Sequence, residues 1–175
     1  MFYEPKKGCP FNIDPFKSLV FPRPIGWISS INKNGIANLA PYSYFNAIAD
    51  EPPQVMFCSN GSSSHNKYKD SLSNILYSKE FVVNFATSTT RDQMNTTSQD
   101  FKPNEDEFYF SKLKKKKSKI VKVPSVKDSP VNLECKLIKI IKLKSNSKKI
   151  STMIIGEVIG IFINNKLIKN NRVNS

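Results

Sequence analysis

The chain has 175 residues, 39% of them apolar and 11% aromatic. That length suits one domain with a real core, and the aromatic content excludes a disordered chain. No stretch approaches 18 apolar residues, so no membrane-spanning helix is expected. The opening MFYEPKKGCPFNIDPF lacks the basic-then-apolar order of a secretory leader, and a cytoplasmic location is expected. The formal charge of +13 admits nucleic acid as a partner. Its source argues otherwise: 24 Lys against 3 Arg, with 18 Asn and 18 Ile, is what AT-rich codons produce. Arg, the bidentate reader of phosphate and guanine, is scarce.

Residues 1–22 carry Pro5, Pro10, Pro15 and Pro22 and read as an irregular arm wrapping the domain. Residues 25–31 and 36–40 read as a hairpin turned by Asn32-Lys33-Asn34-Gly35. Residues 42–49 lead to a break at Pro52-Pro53, and 54–58 form a short apolar run ending in a polar Ser-rich loop. Residues 70–79 read as a helix capped by Asp70 or Ser71, with Leu72, Ile75 and Leu76 on one face. Residues 81–86 read as a buried strand interrupted by Asn84, and 89–98 contain a short helix. The run Lys112–Lys119 reads as a solvated loop. In residues 131–144, Val131, Leu133, Cys135 and Leu137 alternate with Asn132, Glu134 and Lys136, the pattern of a half-buried antiparallel strand. A bulge is expected where the phase changes near Ile138. Residues 150–163 form a further strand or bent pair, with Gly156 and Gly160 as bend points. The sum is mostly β with a few short helices, in a closed or nearly closed antiparallel barrel.

Metal and nucleophile motifs are absent. Cys9, Cys58 and Cys135 form no CxxC pair and read as reduced thiols; a thiol–His pair with His65, the single histidine, is the alternative. Four-ligand zinc spacing is lacking. With one His and no carboxylate cluster, no side chain is assigned as catalytic, and a bound cofactor would carry any reaction. Two polar clusters remain. Pro41-Tyr42-Ser43-Tyr44-Phe45-Asn46-Ala47 offers aromatics and amides to a planar ring. Ser59–His65, running into Lys69-Asp70-Ser71 at a helix start, offers hydroxyls, a cation and free N–H groups to a phosphate monoester.

Several segments, in order, resemble one family: Arg23-Pro24-Ile25-Gly26-Trp27-Ile28-Ser29-Ser30, Asn38–Ala47, Pro52-Pro53, Lys69-Asp70-Ser71-Leu72-Ser73-Asn74-Ile75, Glu80–Asn84, Ser129–Cys135 and Ile155-Gly156-Glu157-Val158. They are similar to the flavin reductase-like proteins, which include flavoredoxin and have the antiparallel FMN-binding split β-barrel. The resemblance implies an N-terminal arm over 1–22 and a split-barrel domain over 23–175. Members usually continue beyond the motif at Arg172-Val173, so a domain truncated at its C-terminus is expected. It also implies a homodimer binding FMN, with NAD(P)H as electron donor and hydride delivered to flavin N5. An electron-acceptor protein or monooxygenase is the implied partner. Ser43, Tyr44, Phe45 and Asn46 would flank the isoalloxazine; Ser59, Ser62, Lys69, Asp70 and Ser71 would surround the phosphate; Trp27 would pack near the ring or ribityl chain, or simply belong to the core. The Asn60–Tyr68 loop is longer than the family pattern, and His65 has no assigned role. The alternatives are an FMN-binding electron carrier without NAD(P)H turnover, and a basic barrel binding single-stranded nucleic acid through Lys112–Lys122 with Phe108, Tyr109 and Phe110 as stacking surfaces.

Overall fold

The computed structural model describes residues 1–62, 68–102, 104–145 and 150–173. The arm holds one 3-10 turn, Pro5–Lys7, and the one-turn helix α1 (Phe16–Leu19), neither with a buried residue. It does not wrap the domain as expected: Phe2, Ile13, Leu19 and Phe21 are at least 75% exposed. The Arg23 guanidinium turns the arm's end back on itself, donating to the carbonyls of Lys17 and Val20.

Strands β1 (Gly26–Ile31) and β2 (Ala37–Tyr42) form the first hairpin. Its turn is closed by Asn32, whose Oδ1 accepts from the amides of Asn34 and Ile36 at 2.9 and 3.0 Å. Gly35 supplies the required positive φ of 77°. Strands β3 (Phe45–Asp50) and β4 (Pro53–Asn60) form the second. Helix α2 (Asp70–Ser78) and strand β5 (Glu80–Asn84) follow. Helices α3 (Arg91–Thr96) and α4 (Glu107–Phe110) and the small pair β6 (Lys115–Lys116) and β7 (Ser125–Val126) cross over to the long hairpin of β8 (Val131–Lys142) and β9 (Ser151–Ile163). Strands β10 (Ile168–Lys169) and β11 (Arg172–Val173) make a last short hairpin.

The main sheet runs β2-β1-β5-β8-β9-β4-β3, every neighbouring pair antiparallel. Its two end strands, β2 and β3, are separated in the chain only by Ser43 and Tyr44. The sheet therefore has to curl until its ends meet, which makes a split barrel. Gly26 shows how closely: a Cβ there would lie 2.6 Å from the Phe45 ring. One face of the curl packs Ile28, Phe57, Phe81, Val83, Cys135 and Ile154 with Leu72 and Ile75 of α2. The other face of β1 and β2 carries a second core of Trp27, Leu39, Phe108, Leu113 and Val126. Asn84, the polar interruption in β5, ties elements together: it donates to the Trp27 carbonyl and Ser29 Oγ and accepts from Val126 N and Asn132 Nδ2, at 2.8–3.1 Å.

Three expectations are refined. The polar face of β8 is solvated only at Lys136, since Asn132 and Glu134 are both buried. The Glu134 carboxylate accepts from the backbone amides of Lys119, Ile120 and Val121 at 2.7, 2.7 and 3.0 Å. The lysines of the segment are solvated as expected, Lys116 apart, but its backbone covers β8, with Leu113 and Ser118 buried. Last, of the two readings of 150–163 the continuous strand holds, and its glycines, which sit at the two register shifts of the β8–β9 ladder, also allow close approach. A Cβ at Gly156 would collide with the Phe81 ring, and one at Gly160 would meet Ile120 at 3.0 Å. The expected bulge is present as register shifts between Glu134 and Cys135 and between Leu137 and Lys139.

Candidate functional site: a polar groove at the start of helix α2

The chain enters α2 at Lys69, which holds the N-cap position in an extended conformation without a side-chain capping bond. Asp70 is the first helical residue, so neither it nor Ser71 is the cap that the sequence pattern indicated. A helix start without a side-chain cap leaves first-turn donors and the positive end of the helix dipole facing outward. They face a groove of about 270 Å³. Pro41 and Tyr42 of β2 line it with Ser62, Lys69, Asp70 and Ser71; its far wall is Thr97–Phe101. The structure therefore brings four of the five expected phosphate residues into one cavity.

The fifth, Ser59, lies at the end of β4, 1% exposed, and its Oγ has no hydrogen-bond partner among the described residues. Ser59 and Ser71 both border the Tyr42 hydroxyl, whose ionisation burial pushes up to about 12. A buried hydroxyl left unpartnered costs free energy unless a ligand or water completes it. The donors that face the groove, Ser62, Lys69 and the uncapped start of α2, fit the phosphate of a flavin nucleotide.

Asn38 and Glu107 also line the groove, and they belong to a polar network that the sequence did not disclose. Glu107 of α4, 4% exposed, accepts from Asn38 Nδ2 and, at 3.2 Å, from Leu39 N. Asn38 Oδ1 accepts from Ser71 Oγ at 2.7 Å and Ser30 Oγ at 3.3 Å, and Asn74 Nδ2 donates to Ser30 Oγ at 3.1 Å. Burial raises the Glu107 carboxyl to about 7, despite the donors it accepts from. Glu107 was legible only as part of an acidic, aromatic stretch. Its partner Asn38 is 69 residues away, and no local pattern marks such a pair.

The remaining expected residues lie elsewhere. Ser43, Tyr44 and Phe45 are partly exposed around the β2–β3 link, and Asn46 is exposed, its Oδ1 accepting from Ala47 N. Arg23 lies over the Tyr44 ring, 5.7 Å from its centroid. Phe45 borders a separate, more apolar depression with Pro24, Ile25 and Phe85. Trp27 takes the core alternative. It is 0% exposed, inside the second core, and reaches the groove only through Thr97, whose Oγ1 accepts from its Nε1 at 2.9 Å. His65 and most of the Ser-rich loop lie outside the described residues. Cys58 and Cys135 are buried, and burial raises both thiols, which keeps them protonated. Of the three aromatics weighed as stacking surfaces for nucleic acid, Phe108 is buried and belongs to the core.

Residues 17–173 match the family described as flavin reductase like domain, and the chain belongs to it. Its architecture is that family's split barrel. A protein of Aquifex aeolicus, itself uncharacterised, is 46% identical over 121 residues, which cover 69% of this chain and 61% of that protein. The chain thus spans less than two thirds of that relative. Component B of nitrilotriacetate monooxygenase from Bacillus cereus superposes with a TM-score of 0.89 at 29% identity, over 99% of this chain and 86% of that one. The 2-nitrobenzoate 2-nitroreductase NbaA of Pseudomonas fluorescens gives 0.78, also at 29% identity, over 93% and 79%. These similarities place the chain in a family of flavin-related oxidoreductases.

Proposed function

We propose that the chain binds FMN and works as an NAD(P)H-dependent flavin reductase. The observation that carries this reading is the groove at α2, where Ser62, Lys69 and Ser71 line one cavity at an uncapped helix start. Ser59, Ser62, Lys69 and Ser71 would hold the phosphate, and the first turn of α2, with Asp70, would position it. Ser43, Tyr44, Phe45 and Asn46 would flank the ring. When bound, the flavin supplies the redox chemistry, accepting hydride at N5 from a reduced nicotinamide. The protein's part is to orient the ring and keep water from it, and no side chain is required as acid or base.

A second copy of the chain would supply another wall for the flavin. The partly exposed apolar side chains of Ile25, Phe45 and Phe85 around one depression support that assembly. By analogy with the Bacillus cereus component B, a monooxygenase is the proposed acceptor of the reduced flavin. The test is to purify the chain, record its flavin spectrum and identify the flavin released on denaturation. FMN-dependent oxidation of NADH or NADPH is then assayed. Released FMN together with turnover supports the reading. Tight FMN without turnover would make the protein an electron carrier, and a colourless protein that takes up no FMN would overturn the reading.

A further inference from the structure

Arg23 is half-buried where the arm meets the barrel. Its guanidinium lies over the ring of Tyr44, in the link between β2 and β3, close enough for a cation–π contact. One terminal nitrogen, Nη1, donates to the carbonyls of Lys17 and Val20. Nε is enclosed and has no partner among the described residues. Nη2 is not enclosed and bonds to none of them either. No carboxylate among the described residues pairs with this guanidinium, whereas the exposed Arg91 is paired with Asp92. The residues that follow run against the same link. Pro24 and Ile25 share a depression with Phe45, and Gly26 has no room for a Cβ beside the Phe45 ring.

A half-buried cation held in place without a counter-ion favours negative charge beside it. In a chain of 24 Lys and 3 Arg, a guanidinium here does what an ammonium cannot. It lies flat on a ring, is anchored through one nitrogen and offers its other edge. We infer that Arg23 supplies the counter-charge of the reduced flavin, its free edge turned to the pyrimidine side of the ring that Ser43, Tyr44, Phe45 and Asn46 would flank. This rests on the placement of the ring at the β2–β3 link and deepens it. Hydride arriving at N5 leaves its negative charge on N1 and the C2 carbonyl, and a fixed cation beside that edge favours the reduced form over the oxidised one. Arg23 moves no proton and breaks no bond; it sets the potential.

The experiment loads the full-length chain with FMN and measures its reduction midpoint, for the parent, Arg23→Gln and Arg23→Lys. Arg23→Gln is expected to bind oxidised FMN nearly as the parent does. Its ratio of reduced to oxidised affinity should fall about tenfold, the scale of one charge-assisted hydrogen bond, which lowers the midpoint of a two-electron couple by about 30 mV. Arg23→Lys keeps the charge and should keep most of the ratio. An unchanged midpoint in Arg23→Gln, with FMN still bound, overturns the assignment and leaves Arg23 as a tie for the arm. A second readout is taken on the parent itself, whose three arginines give three Nε–H signals in a nitrogen-labelled NMR spectrum. The Arg23 signal, identified by elimination with Arg91→Lys and Arg172→Lys, should move on saturation with riboflavin as well as with FMN, since both carry the ring. A signal that moves with FMN alone places Arg23 at the phosphate and overturns the assignment, and so does one that neither ligand moves. A parent chain that takes up no flavin removes the placement of the ring and the role of Arg23 together.

Discussion

Lys69 stands at the helix start with the groove before it, and its role can be separated from that of the flavin ring. A charge-assisted hydrogen bond to phosphate contributes very roughly 1.5–3 kcal/mol. Lys69→Ala is expected to weaken FMN by about tenfold or more in a fluorescence titration, while riboflavin, which has no phosphate, binds as before. Equal losses would place Lys69 outside the phosphate contact. Glu107 gives a second prediction, in pH. Its carboxyl is raised to about 7 in the folded chain, against an ordinary value of 4.5. Between those values the folded state keeps a proton that the unfolded chain has released. Stability therefore falls as pH rises through that window, by on the order of 3 kcal/mol once above it. Thermal melts from pH 5 to 8 should show Tm decreasing, and Glu107→Gln should flatten the decline. A variant whose Tm falls as steeply as the parent's would exonerate Glu107.

Among the elements, the Lys-rich cover of β8 shows how far pattern reading goes. The alternation in 131–137 fixed the strand correctly, because a period of two survives whatever lies on either face. It did not reveal that the polar face is roofed, since the roof is built by backbone amides of a segment whose side chains read as solvated. Substituting Lys114, Lys115 and Lys117 by Gln should change stability by no more than about 0.5 kcal/mol, even with the half-exposed pair of Lys115 and Asp106 lost. Lys116 differs: its Nζ lies 3.2 Å from the centroid of the Phe162 ring and donates to Asn132 Oδ1 at 2.7 Å. Lys116→Gln should cost about 1 kcal/mol. Glu134→Gln should cost more, about 2–3 kcal/mol, because three amides would face one remaining carbonyl. Urea denaturation of the three variants tests that order; a Glu134→Gln chain as stable as the parent would refute the roofing role. The site divides in the same way. The residues contiguous with α2 were legible as a local cluster, whereas the Asn38–Glu107 pair and the inward turn of Trp27 arise only when distant segments meet.

At the scale of the whole molecule, the sheet closes on itself through the two-residue link between β2 and β3, and the face around that link stays apolar and open. Ile25, Ile48 and Phe85 are each more than a third exposed there or on β3. A second copy is the expected cover, so light scattering should give twice the 19.9 kDa chain mass. Ile48→Lys should shift it toward the single chain if β3 lies in that contact. A parent protein that scatters as one chain with FMN bound would count against the assembly.

The N-terminal arm has a further consequence, for how the protein ages. Its basic residues Lys6, Lys7 and Lys17 sit on backbone that buries nothing, so a protease can cut there without waiting for the barrel to open. Trypsin should thus remove the arm first, through Lys17, and leave a resistant fragment beginning at Ser18, since the proline after Arg23 blocks cleavage there. The melting temperature of that fragment should match the intact chain's, because none of the hydrophobic free energy of the fold is stored in the part that was lost.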